Sequence, residues 1–216
     1  IGDICGGGNE APLIGDIVTT MECGEGTYNT FYGGAHKAPI YGTVTVNIYG
    51  GTYNNLFAGS EGDSDKPADI KRLPKNETEL QTYPEEHRAA LSAYLDAHPN
   101  RKGTGGKVTL NLYGGQINEA AFGGCDVNGN IDSLIMVNVV DLGGECGLYL
   151  NNLYGAGRNT DYEPEKLNNT NITSPIVNVA HGTVHGNVYG GGQGADATTT
   201  ADPVVNIGYN AATMIS

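Results

Sequence analysis

The chain has 216 residues, 34 of them glycine, and its 24 Asp and Glu outweigh 11 Lys and Arg to give a formal net charge of −13. Such a charge argues against nucleic acid as a partner, because neutralising phosphates takes clustered Lys and Arg. No apolar run reaches the roughly 18–20 residues of a membrane span; glycine lacks the every-third-residue period of collagen, and 13 Tyr among many apolar-x-apolar patches argue against disorder.

Residues 2–8 read Gly-Asp-Ile-Cys-Gly-Gly-Gly and match 186–192, Gly-Asn-Val-Tyr-Gly-Gly-Gly. The chain is therefore expected to be a piece of a longer one, cut inside a repeat. An aromatic or apolar residue followed by small ones recurs at Phe31-Tyr32-Gly33-Gly34, Leu56-Phe57-Ala58-Gly59, Ala121-Phe122-Gly123-Gly124, Leu153-Tyr154-Gly155-Ala156 and Val188-Tyr189-Gly190-Gly191. A second segment, apolar-Asn-apolar, appears around Asn47, Asn111, Asn138, Asn178 and Asn206. Cys5, Tyr32 and Phe57 lie 27 and 25 residues apart, and Asn111 and Asn138 lie 27 apart. Leucine-rich repeats would need a Leu scaffold, and kelch blades run near ~50 residues.

A unit of 25–28 residues holding short alternating strands points instead to one coil of a right-handed parallel β-helix, all-β, with about six coils. In 44–48, alternation places Val44, Val46 and Ile48 on one face and Thr45 and Asn47 on the other. Stacking the coils would put Cys5, Tyr32, Phe57, Phe122, Tyr154 and Tyr189 in one ladder. The five asparagines would form another, with Thr20 as its sixth member. The glycine runs supply positive φ for tight corners.

Residues 60–106 depart from this pattern and read as an inserted segment, carrying 7 of the 11 Lys and Arg and 9 of the 24 Asp and Glu. Pro84-Glu85-Glu86 signals a helix start, Leu91, Tyr94, Leu95 and His98 share one helical face, and Pro99 ends the run, so a short helix is expected near 84–98. Lys71, Arg72, Tyr83 and Tyr94 are the candidate binding residues. Their flat rings and cations coincide where the acidic charge is weakest, and they suit a glycan or a surface protein. The alternative is an elaborated loop that covers an apolar patch.

Asp126, Asn128, Asn130 and Asp132 alternate around Gly129, a spacing that suits Ca²⁺; a polar turn accounts for the same letters, and Val137 stands where a bidentate Glu would be needed. Residues 191–196 match the start of a calcium-binding nonapeptide once. The spacing of Cys5, Cys23, Cys125 and Cys146 permits bridges Cys5–Cys23 and Cys125–Cys146, or four buried thiols. No Cys-x-x-Cys spacing signals zinc.

The pattern apolar-Asn-apolar-Tyr-Gly-Gly-Thr, followed by Val-Tyr-Gly-Gly-Gly, resembles repeats of large β-helical surface proteins of gut bacteria. Those proteins are similar to adhesins and, in fold, to pectate lyases and phage tailspikes. The resemblance covers nearly all of the chain outside 60–106. It implies an extracellular or cell-surface segment that serves adhesion, glycan or protein binding, or spacing, with adjacent coils of the same parent chain as neighbours. No coherent catalytic set stands out in the sequence; the alternative reading is a polysaccharide lyase or glycoside hydrolase of the same fold.

Overall fold

The computed structural model describes residues 2–24, 26–166 and 169–208. It is mostly β, and its strands, numbered in chain order, form three sheets in which every strand pair is parallel. The first sheet takes Ile4–Cys5 (β1), Thr27–Tyr32 (β4), Thr52–Phe57 (β7), Gln116–Phe122 (β10), Tyr149–Tyr154 (β12) and Val188–Tyr189 (β14), side by side in that order. The second takes Ile17–Met21 (β3), Thr43–Ile48 (β6), Lys107–Leu112 (β9), Ile135–Val140 (β11), Thr173–His181 (β13) and Asp202–Ile207 (β15). Leu13–Ile14 (β2), Ile40–Tyr41 (β5) and Ile70–Lys71 (β8) make the third. Through β8 the chain visits the first, third and second sheets in rotation, and each return lands beside the strand of the previous circuit.

Both expected ladders are present. The register aligns Cys5, Tyr32, Phe57, Phe122, Tyr154 and Tyr189 across the first sheet. Successive rings from Tyr32 onward stack with centroids 5.4, 4.5, 4.8 and 4.8 Å apart, close to the ~4.8 Å that separates hydrogen-bonded strands. Across the second sheet each asparagine amide donates to the side-chain oxygen of the one before: Asn111 to Asn47, Asn138 to Asn111, Asn178 to Asn138 and Asn206 to Asn178, at 2.8–3.0 Å. Thr20 stands in register with Asn47.

Alternation sorts the two faces. Val44, Val46 and Ile48 enter the main core with Val108, Leu110, Leu112, Val137 and Val177. Phe31, Leu56, Ala121 and Leu153 enter it from the first sheet. Their neighbours in the aromatic ladder belong to a separate cluster on the opposite face, with Ala120.

In the corners Tyr49-Gly50-Gly51 and Tyr113-Gly114-Gly115, the second glycine has φ +90° both times, a conformation that a side chain would strain. The glycines after the aromatic ladder serve another purpose. Gly33, Gly123 and Gly155 keep ordinary φ, but a Cβ at Gly123 would stand 2.2 Å from the Gly155 carbonyl oxygen of the next circuit.

The excursion from the sheets is shorter than 60–106. Ile70 and Lys71 pair with Ile40 and Tyr41, so the circuit runs on through β8. Only at Arg72, bridged to Gly105, and Leu73, whose N–H donates to Thr104, does the chain leave and return. Within it lie a four-residue helix, Glu77–Leu80 (α1), capped by Asn76, and Glu85–Ala97 (α2), where the sequence placed a helix. Leu91 and Leu95 of α2 join Leu73, Leu80 and Tyr83 over Tyr41, with Ile14 beside them. The helix thus covers the outer side of the third sheet.

Arg101 fastens the end of this excursion by two bonds to the Asp16 carboxylate, one of them 2.6 Å. The Arg101 hydrogen bond holds Asp16 below its ordinary 3.8, against the upward pull of burial. A depressed carboxylate contributes stability above the unfolded value, near 4, and loses it as pH falls through the folded value. Asp16→Asn should therefore lower stability at pH 7 and flatten the loss on acidification below about pH 4. Urea unfolding followed by helix circular dichroism at several pH values measures this; an acid limb unchanged in the variant would contradict it.

Candidate functional site

The best-organised group of polar side chains lies beside the aromatic ladder. The residue four positions after each ladder member is Asn9, His36, Glu61, Asp126, Arg158 and Gln193 in turn. Backbone bonds stack them. The N–H of His36 donates to Gly8, of Glu61 to Ala35, of Asp126 to Ser60, of Arg158 to Cys125, and of Gln193 to Gly157. In every case the acceptor directly precedes the equivalent residue of the previous circuit. One wall of a groove is thus a polar ladder, and its floor is the aromatic one.

Arg158 closes the middle of the groove. Its guanidinium sits 4.9 Å from the Phe57 ring centroid and 5.8 Å from that of Phe122, and both rings are 0 % exposed. Nε and Nη2 donate to the two Asp126 oxygens at 2.7 and 2.9 Å, and the Tyr32 hydroxyl donates to Asp126 at 2.9 Å. Burial works against the Arg158 charge, but its bonds to Asp126 outweigh that and raise its pKa. Burial, then the Asp126 charge, pushes the Tyr32 phenol far up, so it stays a donor. The carboxylate partner of Arg158 lies one circuit back in the chain.

The two ends of the groove differ. Beside Arg158 a cleft of about 290 Å³, running from the Phe57 circuit to the Tyr189 circuit, is lined by Asn55, Glu119, Ala120, Asn151, Asn152, Tyr154, Arg158 and Gln193. Tyr189, next along the floor, is 44 % exposed. Asn55 donates to the Glu119 carboxylate at 2.6 Å, and Asn152 to the Glu119 carbonyl oxygen at 3.1 Å. At the other end Cys5, His36 and Glu61 converge, with His36 Nδ1 3.1 Å from a Glu61 oxygen. Burial, then the charges of Glu61 and Asp3, raises the Cys5 thiol to about 11. Burial also raises Glu61, with His36 opposing.

The candidate binding residues are largely taken up in holding the helical excursion. Tyr83 is 6 % exposed and donates to the Arg72 carbonyl oxygen at 2.7 Å. Arg72 pairs with Glu79 and Glu165, Lys71 reaches Asp69 at 3.5 Å, and Tyr94 stacks on His98. Tyr83 and Arg72 thus bind the protein to itself, because the apolar side of the excursion needs the third sheet beneath it.

The loop expected for Ca²⁺ does not converge either. Asp126 faces Arg158, Asn128 donates to the Asp63 carbonyl oxygen, Asn130 exchanges bonds with Glu163, and Asp132 accepts from the Arg72 N–H. Asn128 and Asn130 border a surface hollow with Asp69, Asp161 and Asp196, while Asp126 and Asp132 are tied elsewhere. The alternating letters serve contacts to adjoining circuits.

The cysteine pairing also differs from the spacing-based expectation. Cys23 is bonded to Cys146, with Cα atoms 5.8 Å apart, and Cys5 and Cys125 are free. The bridge forms across two side-chain-free corners. A Cβ at Gly50 would lie 2.6 Å from Cys23 Cα, and one at Gly114 would lie 2.2 Å from the Cys146 oxygen. Cys125 turns into the main core as a small apolar residue.

No family model matches this chain, and neither does any curated protein or solved structure.

Asp126, 3 % exposed, depends on Arg158 for its charge partner. Arg158→Ala should cost about 3 kcal/mol, the low end for breaking a buried pair because Arg158 is partly open to solvent. Asp126→Leu in that background should recover most of the loss, since the orphaned charge goes with it. Urea unfolding of both variants measures this, and a double variant as unstable as the single would contradict it.

Proposed function

We propose that this chain is a segment of right-handed parallel β-helix from a secreted or cell-surface protein, and that it binds a glycan without catalysis along its aromatic groove. The observation that carries the reading is the half-buried Tyr154 and exposed Tyr189 at the open end of a stacked aromatic floor, walled by amides and Arg158. Sugar rings present apolar C–H faces that lie flat on aromatic rings, and their hydroxyls pair with amide and carboxylate side chains. Asn55, Asn151, Asn152, Gln193 and Glu119 supply that set at one cleft. Parallel circuits whose ladder residues stay aligned across local register shifts support the β-helix, and the Cys23–Cys146 bridge supports an oxidising compartment. Among the described residues no helix is long and apolar enough to cross a membrane.

The test is a screen of neutral and acidic polysaccharides followed by calorimetry on the best binder. Combining Tyr154→Ala with Tyr189→Ala should weaken binding at least about tenfold, the order of the ~1.4 kcal/mol from two lost stacking partners. Lys71→Ala with Tyr94→Ala should leave it unchanged. Binding that survives the first pair, or turnover of the polysaccharide by the native chain, would reject the reading.

A further inference from the structure

At the Cys5 end of the groove, three consecutive circuits each contribute one metal-competent side chain. Cys5 is the first rung of the aromatic ladder, and His36 and Glu61 are successive rungs of the polar wall. The Cys5 sulfur, a His36 ring nitrogen and a Glu61 carboxylate oxygen all lie within 4.8 Å of one another, and no side chain of the three is fully buried. Among the described residues this is the one such group of His, Cys, Asp and Glu.

We propose that Cys5, His36 and Glu61 bind a divalent transition-metal ion of the Zn²⁺ class. The donor set decides the class. Hard cations such as Ca²⁺ and Mg²⁺ take oxygen ligands, whereas one sulfur, one imidazole nitrogen and one carboxylate oxygen suit Zn²⁺. Bond lengths of about 2.0–2.3 Å in a tetrahedral site put ligand atoms roughly 3.3–3.8 Å apart. His36 and Glu61 already stand at 3.1 Å, and all three ligand atoms lie within 4.8 Å of one another, so side-chain rotations can close the set on an ion. The strand pairing that holds Cys5 beside Tyr32, and the corner bonds His36 to Gly8 and Glu61 to Ala35, preorganise the three backbones.

Two further observations favour binding. Cys23 is taken by Cys146, which leaves the Cys5 thiol available. Asp3 is fixed nearby by Asn29 and the Thr30 N–H, and its charge acts on both Cys5 and Glu61, which makes the field there attractive to a cation. Three protein ligands leave a fourth position for water or for an oxygen of a bound molecule. The local-motif signature of zinc is absent because the ligands are 31 and 25 residues apart, a repeat or more, rather than a turn apart.

The test uses the full chain, freed of metal by a chelator, with Co²⁺ as the spectroscopic probe. One equivalent should bind saturably with a thiolate-to-cobalt charge-transfer band, and Zn²⁺ should displace it. Cys5→Ser should abolish the band; His36→Ala and Glu61→Ala should each weaken binding at least about tenfold. Cys125→Ser should leave the band intact. Because a variant can fail to fold, alkylation of the native chain gives a second readout: Zn²⁺ should slow modification of Cys5 at least about tenfold where Mg²⁺ does not. Absence of a saturable band in the native chain, a band that survives Cys5→Ser, or alkylation indifferent to Zn²⁺ would overturn the proposal.

Discussion

Everything else in this molecule depends on parallel strands pairing in register from one circuit to the next. Hydrogen bonding fixes adjacent strands at about 4.8 Å, and a parallel pair in register puts equivalent residues directly above one another. A side chain in this fold therefore meets its own counterpart before it meets anything else. Phenyl and phenol rings stack on rings, and amides bond to amides. The same constraint explains Gly123, whose missing side chain lets the next corner approach.

Ladders of like residues are legible in sequence because likeness is the signal. The aromatic and asparagine ladders could be read from spacing alone, as could α2, whose proline, paired glutamates and apolar face are local features. The polar wall was hidden for the opposite reason. Its rungs His36, Glu61, Asp126, Arg158 and Gln193 differ in charge and size, so no repeat search scores them as equivalent. Their shared offset of four from the ladder residue was the available clue. The boundary of the excursion is hard to see in the sequence because β8, which continues the circuit, is only two residues long. Spacing points to bridges between neighbouring coils, whereas the segment after β11 folds back over two corners to reach Cys23.

Dissimilar rungs on a uniform scaffold are what a recognition surface requires. Identical carboxylates stacked at about 4.8 Å would repel one another, but an acid beside an arginine forms a pair, and Glu61 has the His36 ring nitrogen 3.1 Å away. The groove is thereby divided into an aromatic, amide-lined end, a closed centre under Arg158, and an end with sulfur, nitrogen and oxygen donors. The proposed glycan site and the proposed metal site share no side chain, so either can stand without the other. The helical excursion contributes on a different side, where Leu91, Leu95 and Tyr83 shield Tyr41.

The register itself is tested most directly by the disulfide, since 123 residues separate its halves and only the observed stacking of corners brings them together. The measurement is mass spectrometry of the non-reduced chain, digested after free thiols are alkylated. A peptide pair joined through Cys23 and Cys146, with Cys5 and Cys125 alkylated once the chain is unfolded, is the expected result. Cross-linked peptides joining Cys5 to Cys23, or Cys125 to Cys146, would contradict this stacking of the circuits.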